Sequence, residues 1–218
     1  MQDLPPRTRN RLVRMLLLSF ALGLGTAGIV TGAASAYDGA AAARWADNND
    51  LNRNCEITPC FHDDCTGFVS AAMHFGGSYP YYGLGQNNHD DHYWWLQWNP
   101  YLDWTFTDSW ADTKDLYQFE MWHIPGGADY GVVQPGWTHL SSGRSVGDLF
   151  FYDWAGNGDI THASMMVATG TDPNNTSWVG DLIDQHTTDR YHAYWTLAPY
   201  NPQVLTTKIH RVKIYATN

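Results

Sequence analysis

The sequence predicts an α+β domain in which N-terminal helices pack on an antiparallel β-sheet. Apolar residues at helical spacing are confined to the first half, at 39–50 and 64–77. After Gly147 the pattern becomes short aromatic and aliphatic runs bounded by Gly, Asn and Asp. Two of those runs flank Gly156-Asn157-Gly158-Asp159, a hairpin signal because Asn and Gly tolerate the left-handed backbone of a tight turn. Helices first and strands afterwards is the α+β order, and no repeat period is visible.

The first 36 residues stand outside this domain. Arg7, Arg9, Arg11 and Arg14 form a positive leader, Met15 to Val30 is apolar, and Ala34-Ser35-Ala36 is a small-x-small cleavage site. That order is expected of a secretory signal peptide. The apolar run is Gly-rich and shorter than the ~20 residues a membrane span needs. The expected protein is therefore exported, soluble after cleavage, and a single domain over 37–218.

Within that domain, Gly39 to Asp50 reads as a helix running into a polar stop. Residues 51 to 63 read as an irregular loop. A second helix opens at Asp64-Cys65, with Asp64 as N-cap, Phe68, Val69, Ala72, Met73 and Phe75 at helical spacing, and Gly76-Gly77 as the stop. The stretch 78–142 is rich in Trp, Tyr, Pro and Gly, with a helix expected over Asp108 to Glu120 and a loop over Pro125 to Gly136. Strands are expected at 148–154, 161–168, 178–184, around 191–197, and at 208–215.

Removing the leader leaves 182 residues, enough for one core, with 8 basic against 21 acidic side chains. Such a chain repels phosphates and anionic headgroups, which excludes nucleic acid as a partner. All eleven Trp lie beyond the leader. In a domain short of Leu and Ile they supply core volume, and an aromatic-lined groove is the other use such residues have. A monomer is expected.

The three cysteines are Cys55, Cys60 and Cys65. In an exported protein an odd count leaves one over. Cys55 and Cys60 flank the short Glu-Ile-Thr-Pro segment, which suits a local disulfide and leaves Cys65 free. A thiol at a helix N-terminus beside an imidazole loses its proton readily. His162, near the start of a strand, is the candidate base. A third polar group must orient the imidazole: His186 is the candidate, with Asp184, Gln185 and His192 as local rivals.

The segment Asp64-Cys65-Thr66-Gly67-Phe68-Val69-Ser70 resembles the Asp-Cys-(Ser/Thr)-x-(Phe/Leu)-Val motif of the NlpC-like cell-wall peptidases and of the putative bacterial amidase domain family. Tyr93-Trp94-Trp95 resembles the tryptophan block of the second family. Gly147 to Asp153, the Gly-rich turn to His162, and Gln185-His186-Thr187 resemble its later segments. The similarity spans about Tyr37 to Ile214. Gly67, where the family often has Asn, and the Cys55-to-Cys60 insertion depart from it.

The resemblance implies a papain-like fold and a cysteine amidase or peptidase acting through a thioester. Cys65 would be nucleophile, His162 general base and acid, and His186 orienter. Trp94, Trp95 and Asp64 would contact a peptide or peptidoglycan-like substrate, and no cofactor is implied. A binding module that stacks sugars on its Trp cluster, or a secreted effector with the same triad, would use the same residues differently. Zinc on Cys55, Cys60, His62 and Cys65 is disfavoured by four-residue gaps and by export. His89-Asp90-Asp91-His92 reads as a solvated loop, and Asp153, Asn157 and Asp159 as a hairpin turn rather than a calcium loop. No metal is expected.

Overall fold

The structure, a computed structural model, describes residues 37–122 and 127–215. The leader read from residues 1–36 lies outside the described residues. Helix α1 (Gly39–Asn49) starts at Asp38, whose carboxylate accepts the Ala41 N–H at 2.9 Å, the interaction that makes Asp a preferred N-cap. Helix α2 (Cys65–Ala71) continues into one π-helical turn, Ala72–Gly76. Gly76 is the point where the two helices touch. A Cβ there would stand 2.5 Å from Trp45 Cβ and 2.8 Å from the Ala42 backbone.

The strands are β1 (Leu96–Asn99), β2 (Asp103–Phe106), β3 (Gly127–Val133), β4 (Leu149–Asp153), β5 (His162–Thr171), β6 (Val179–Gln185), β7 (Arg190–Tyr194) and β8 (Lys208–Ile214). The last six form an antiparallel sheet in the order β3-β8-β4-β5-β6-β7. The expected meander runs from β4 to β7, while β8 returns to lie between β3 and β4. The chain is thus α+β, with helices packed on an antiparallel sheet.

Pleating explains why β4 carries no polar alternation. Leu149 and Phe151 join one core with Phe68, Val69, Met73 and Met165 from the helices and β5. Phe150 and Tyr152 join a second core with Met166, Ile183, Trp195 and Ile209. Both faces of the strand are covered, so a continuous apolar run is what it needs.

Three expectations are corrected. The loop over Pro125 to Gly136 contains β3, whose ladder to β8 supplies an order its own Gly-Ala-Asp-Tyr-Gly pattern does not announce. The helix over Asp108 to Glu120 is two, α3 (Asp108–Ala111) and α4 (Thr113–Trp122). Asp112 is extended between them, and its carboxylate takes the Lys114 and Asp115 amides at 2.9 and 3.2 Å. The unforeseen hairpin β1–β2 pairs Trp98 with Trp104. In the β4–β5 turn the Asp153 carboxylate accepts the amides of Gly156, Asn157 and Gly158 at 2.7–3.1 Å. Backbone N–H groups occupy those oxygens, as a hairpin turn requires.

Candidate active site

Cys65 is the first residue of α2 and is 6% exposed. Cys55 and Cys60 form a disulfide, which leaves Cys65 as the free thiol among the described residues. The sulfur's directional contacts are to Thr113 Oγ1 at 3.6 Å, Thr66 Oγ1 at 3.7 Å and the Thr161 carbonyl at 4.0 Å. Burial pushes the thiol pKa up. Hydrogen bonding and charge from the adjoining His162 outweigh it, with smaller help from the Ala163 N–H and the Thr113 hydroxyl. The net result is a thiol drawn down to about 7. A buried cysteine without a cationic neighbour moves the other way.

His162 opens β5, directly opposite Tyr152 in the ladder. Pleating puts both on the sheet face away from α1, and the imidazole lies among the rings of Tyr152 and Trp154, each 5.4 Å away. From the end of β5 it still adjoins the thiol, with which it lines one cavity and whose pKa it lowers. The far nitrogen is fixed by Gln185. The Gln185 amide nitrogen donates to the Thr188 carbonyl at 2.9 Å, so its oxygen is the atom 2.9 Å from His162 Nε2. An amide oxygen only accepts, so Nε2 carries the proton and Nδ1 is left for the thiol.

Thiol and imidazole share a cavity of about 450 Å³, lined also by Trp154, Gln185, Arg190 and Tyr200. Activated sulfur, oriented imidazole and room for a small ligand are what acyl transfer to a thiol needs.

His186 does not orient the imidazole. Its Nδ1 meets Asp64 Oδ2 at 2.7 Å, its Nε2 donates to the Asn49 carbonyl at 3.0 Å, and its ring stacks on Phe68 at 4.1 Å. The reason is directional: neighbouring residues at the end of β6 point to opposite sides, and Gln185 has the side facing His162. The other rivals are engaged elsewhere. Asp184 accepts the His192 N–H at 2.8 Å, and His192 Nε2 meets Asp47 at 2.9 Å.

Asp64 is buried and outside the cavity lining, which removes the expected substrate contact. Its side chain does not cap α2 either, because it holds His186 and stands 3.6 Å from Arg53. Trp94 and Trp95 are likewise core rather than groove, 0% and 5% exposed. Trp94 packs against Trp110 at 4.8 Å and Tyr79 at 5.3 Å, and its indole N–H reaches Ser70 Oγ at 3.3 Å.

The departure at Gly67 has a local cause. A Cβ there would lie 2.8 Å from Asp64 Oδ1 and 3.2 Å from the Phe61 ring. The segment just after the disulfide therefore fills the space a side chain would take.

Two residues of the site escaped sequence reading. Thr113 lies in a helical stretch without motif, 48 positions from the sulfur it touches. Trp154 follows the last residue of β4 and stacks on His162, a role nothing in its neighbourhood signals. Oxygen and nitrogen ligands of Asp47, Asp184 and His192, and of Asp90, Asp91 and His92, lie within 4.8 Å of one another. None of these residues lines the thiol cavity.

The family described as "Putative amidase domain" matches residues 36–209. Neither curated proteins nor solved structures give a match. The match runs through Cys65, His162 and Gln185 alike and covers most of the 218 residues. The chain belongs to the putative amidase domain family.

Proposed function

We propose that the protein hydrolyses an amide bond through a thioester on Cys65. The observation that carries this reading is a buried thiol drawn down to about 7 beside an imidazole whose far nitrogen is fixed by Gln185. In the reaction, Cys65 gives its proton to His162 Nδ1 and the sulfur attacks the amide carbon. The developing oxyanion lies over the start of α2, whose first N–H groups have no acceptor within the helix. Collapse breaks the C–N bond as the imidazolium protonates the leaving amine. Water, deprotonated by Nδ1, then cleaves the thioester, releasing the acid and returning the proton to sulfur. Gln185 holds Nε2–H throughout, the task Asn performs in papain-like proteases.

The same reading takes the fold as papain-like, the substrate as a peptide of cell-wall type, and the protein as secreted. A Cys55–Cys60 disulfide fits an oxidising compartment, and no described helix is long and apolar enough to cross a membrane. The test is mass spectrometry of purified peptidoglycan stem peptides and peptide amides after incubation. New amine and acid ends should appear, with an acyl adduct on Cys65 in acid-quenched samples. Cleavage that persists in Cys65→Ala would overturn the mechanism.

A further inference from the structure

We propose that Arg190 is the specificity residue of the Cys65 cavity and selects amides bearing a free carboxylate. The inference rests on Cys65 being the nucleophile of that cavity. The β6–β7 hairpin places both the orienting and the recognising side chain. Its turn passes through Thr187 and Thr188 at φ 59° and 67°, and brings Arg190 opposite Gln185 in the ladder. Residues directly opposite share a face. Gln185 reaches the imidazole at 2.9 Å, so Arg190 leaves the backbone on the imidazole's side and lines the same cavity as the thiol.

The guanidinium is held without being neutralised. It lies 3.9 Å from the centroid of the Tyr200 ring. The Tyr200 hydroxyl is anchored by both Asp172 oxygens at 2.7 Å. Asp172 is itself occupied by the amides of Asn174, Asn175 and Tyr194. Stacking uses the face of the guanidinium and leaves its edge N–H groups available.

Among the described residues no carboxylate lies within ion-pairing distance of Arg190. Its neighbour in sequence, Asp189, is taken by Arg53 at 2.7 Å, and Arg144 has Asp148 at 4.0 Å. In a chain with 22 acidic and 12 basic side chains, acids are in surplus. One of them, Asp63, lines the same cavity, but its carboxylate stands 3.2 Å from the His62 ring and beyond ion-pairing distance of Arg190, so the guanidinium is left for a ligand. Its planar fork matches a carboxylate through two parallel hydrogen bonds. Gln203 lines the same cavity, and its side-chain amide can hydrogen-bond the rest of such a fragment.

The test labels Cys65 in the full chain with two isosteric pairs: N-chloroacetylglycine against its amide, and N-chloroacetyl-γ-aminobutyrate against its amide. Alkylation rates are read from intact mass at pH 6 and low salt. In the wild type the acid of at least one pair should react at least about tenfold faster than its amide, the lower end of what a charge-assisted hydrogen bond supplies. Arg190→Gln should bring that ratio to unity or below, the ratio within each pair cancelling any general change in Cys65 reactivity, and Arg190→Lys should retain part of it. No preference for the acid in either pair, or a preference that survives Arg190→Gln, overturns the assignment. If no label modifies Cys65 faster than free cysteine, the amidase reading fails and this inference with it.

Discussion

Replacing His162 with alanine removes the group that draws the Cys65 proton away, and the consequence can be worked out. The thiol falls from an ordinary 9.0 to about 7 only because His162 outweighs burial. At pH 6 a thiol of pKa 7 is about 9% ionised and one of pKa 9 about 0.1%, roughly a 90-fold difference in thiolate. A more acidic thiolate is also a weaker nucleophile, by about 6- to 10-fold over two pKa units. Ionisation wins, and the wild type should react with iodoacetamide about tenfold faster than an ordinary thiol at pH 6. In His162→Ala burial is opposed only by the Ala163 N–H and the Thr113 hydroxyl. The rate at pH 6 should drop at least tenfold or so, and the inflection of the pH–rate curve should move from about 7 to 9 or above. Cys55 and Cys60 are paired, so intact mass reports Cys65 directly. A wild-type inflection near 9, or one unmoved by the substitution, would refute the coupling.

Gln185→Ala should lower turnover of an amide substrate by roughly 10²-fold with a smaller change in KM, since the imidazole loses its orientation but not its place. His186→Ala should instead lower the melting temperature, because it leaves the Asp64 carboxylate buried with one partner fewer; an equal turnover loss in both variants would contradict the geometry. Trp94→Ala should cost about 3–5 kcal/mol in denaturant unfolding, the range for a large core residue, and a fully stable variant would show that Trp94 is not core. Burial raises the Glu120 carboxyl to about 8, so its protonated form suits the fold. The contribution of this group is then complete below about pH 4.5 and lost as pH rises towards 8, by up to about 5 kcal/mol. Glu120→Gln should match the wild type at pH 4.5 and exceed its melting temperature at pH 8; identical curves would remove the carboxyl from the account.

Helical periodicity with a polar or glycine stop was enough to place α1 and the start of α2, because both signals are local; the cap read at Asp64 is absent. The strands from β4 to β8 were legible for the same reason, as apolar runs cut by Gly and Asn turns. β3 was not, since its sequence has neither alternation nor β-branched density until Val132-Val133, and its order comes from pairing with β8. The aromatic block shows the limit of composition. Tryptophan suits a core as well as a groove, and only packing assigned Trp94 to Trp110, Tyr79 and Ser70.

What the sequence determined by itself was an arithmetic of groups: three cysteines with one left over, that one at a helix start, and a histidine at the head of a strand. Which polar residue completes the set was beyond it. Gln185 and His186 are adjacent, and chemistry alone favours neither. The choice belongs to the pleat of β6 and its register with β7. That geometry turns Gln185 to His162 and Arg190 to the same cavity, and sends His186 to Asp64 and Asn49. A one-residue shift in strand register reverses every side chain, and the pairing that decides it, β6 with β5 on one side and β7 on the other, exists only in the folded sheet.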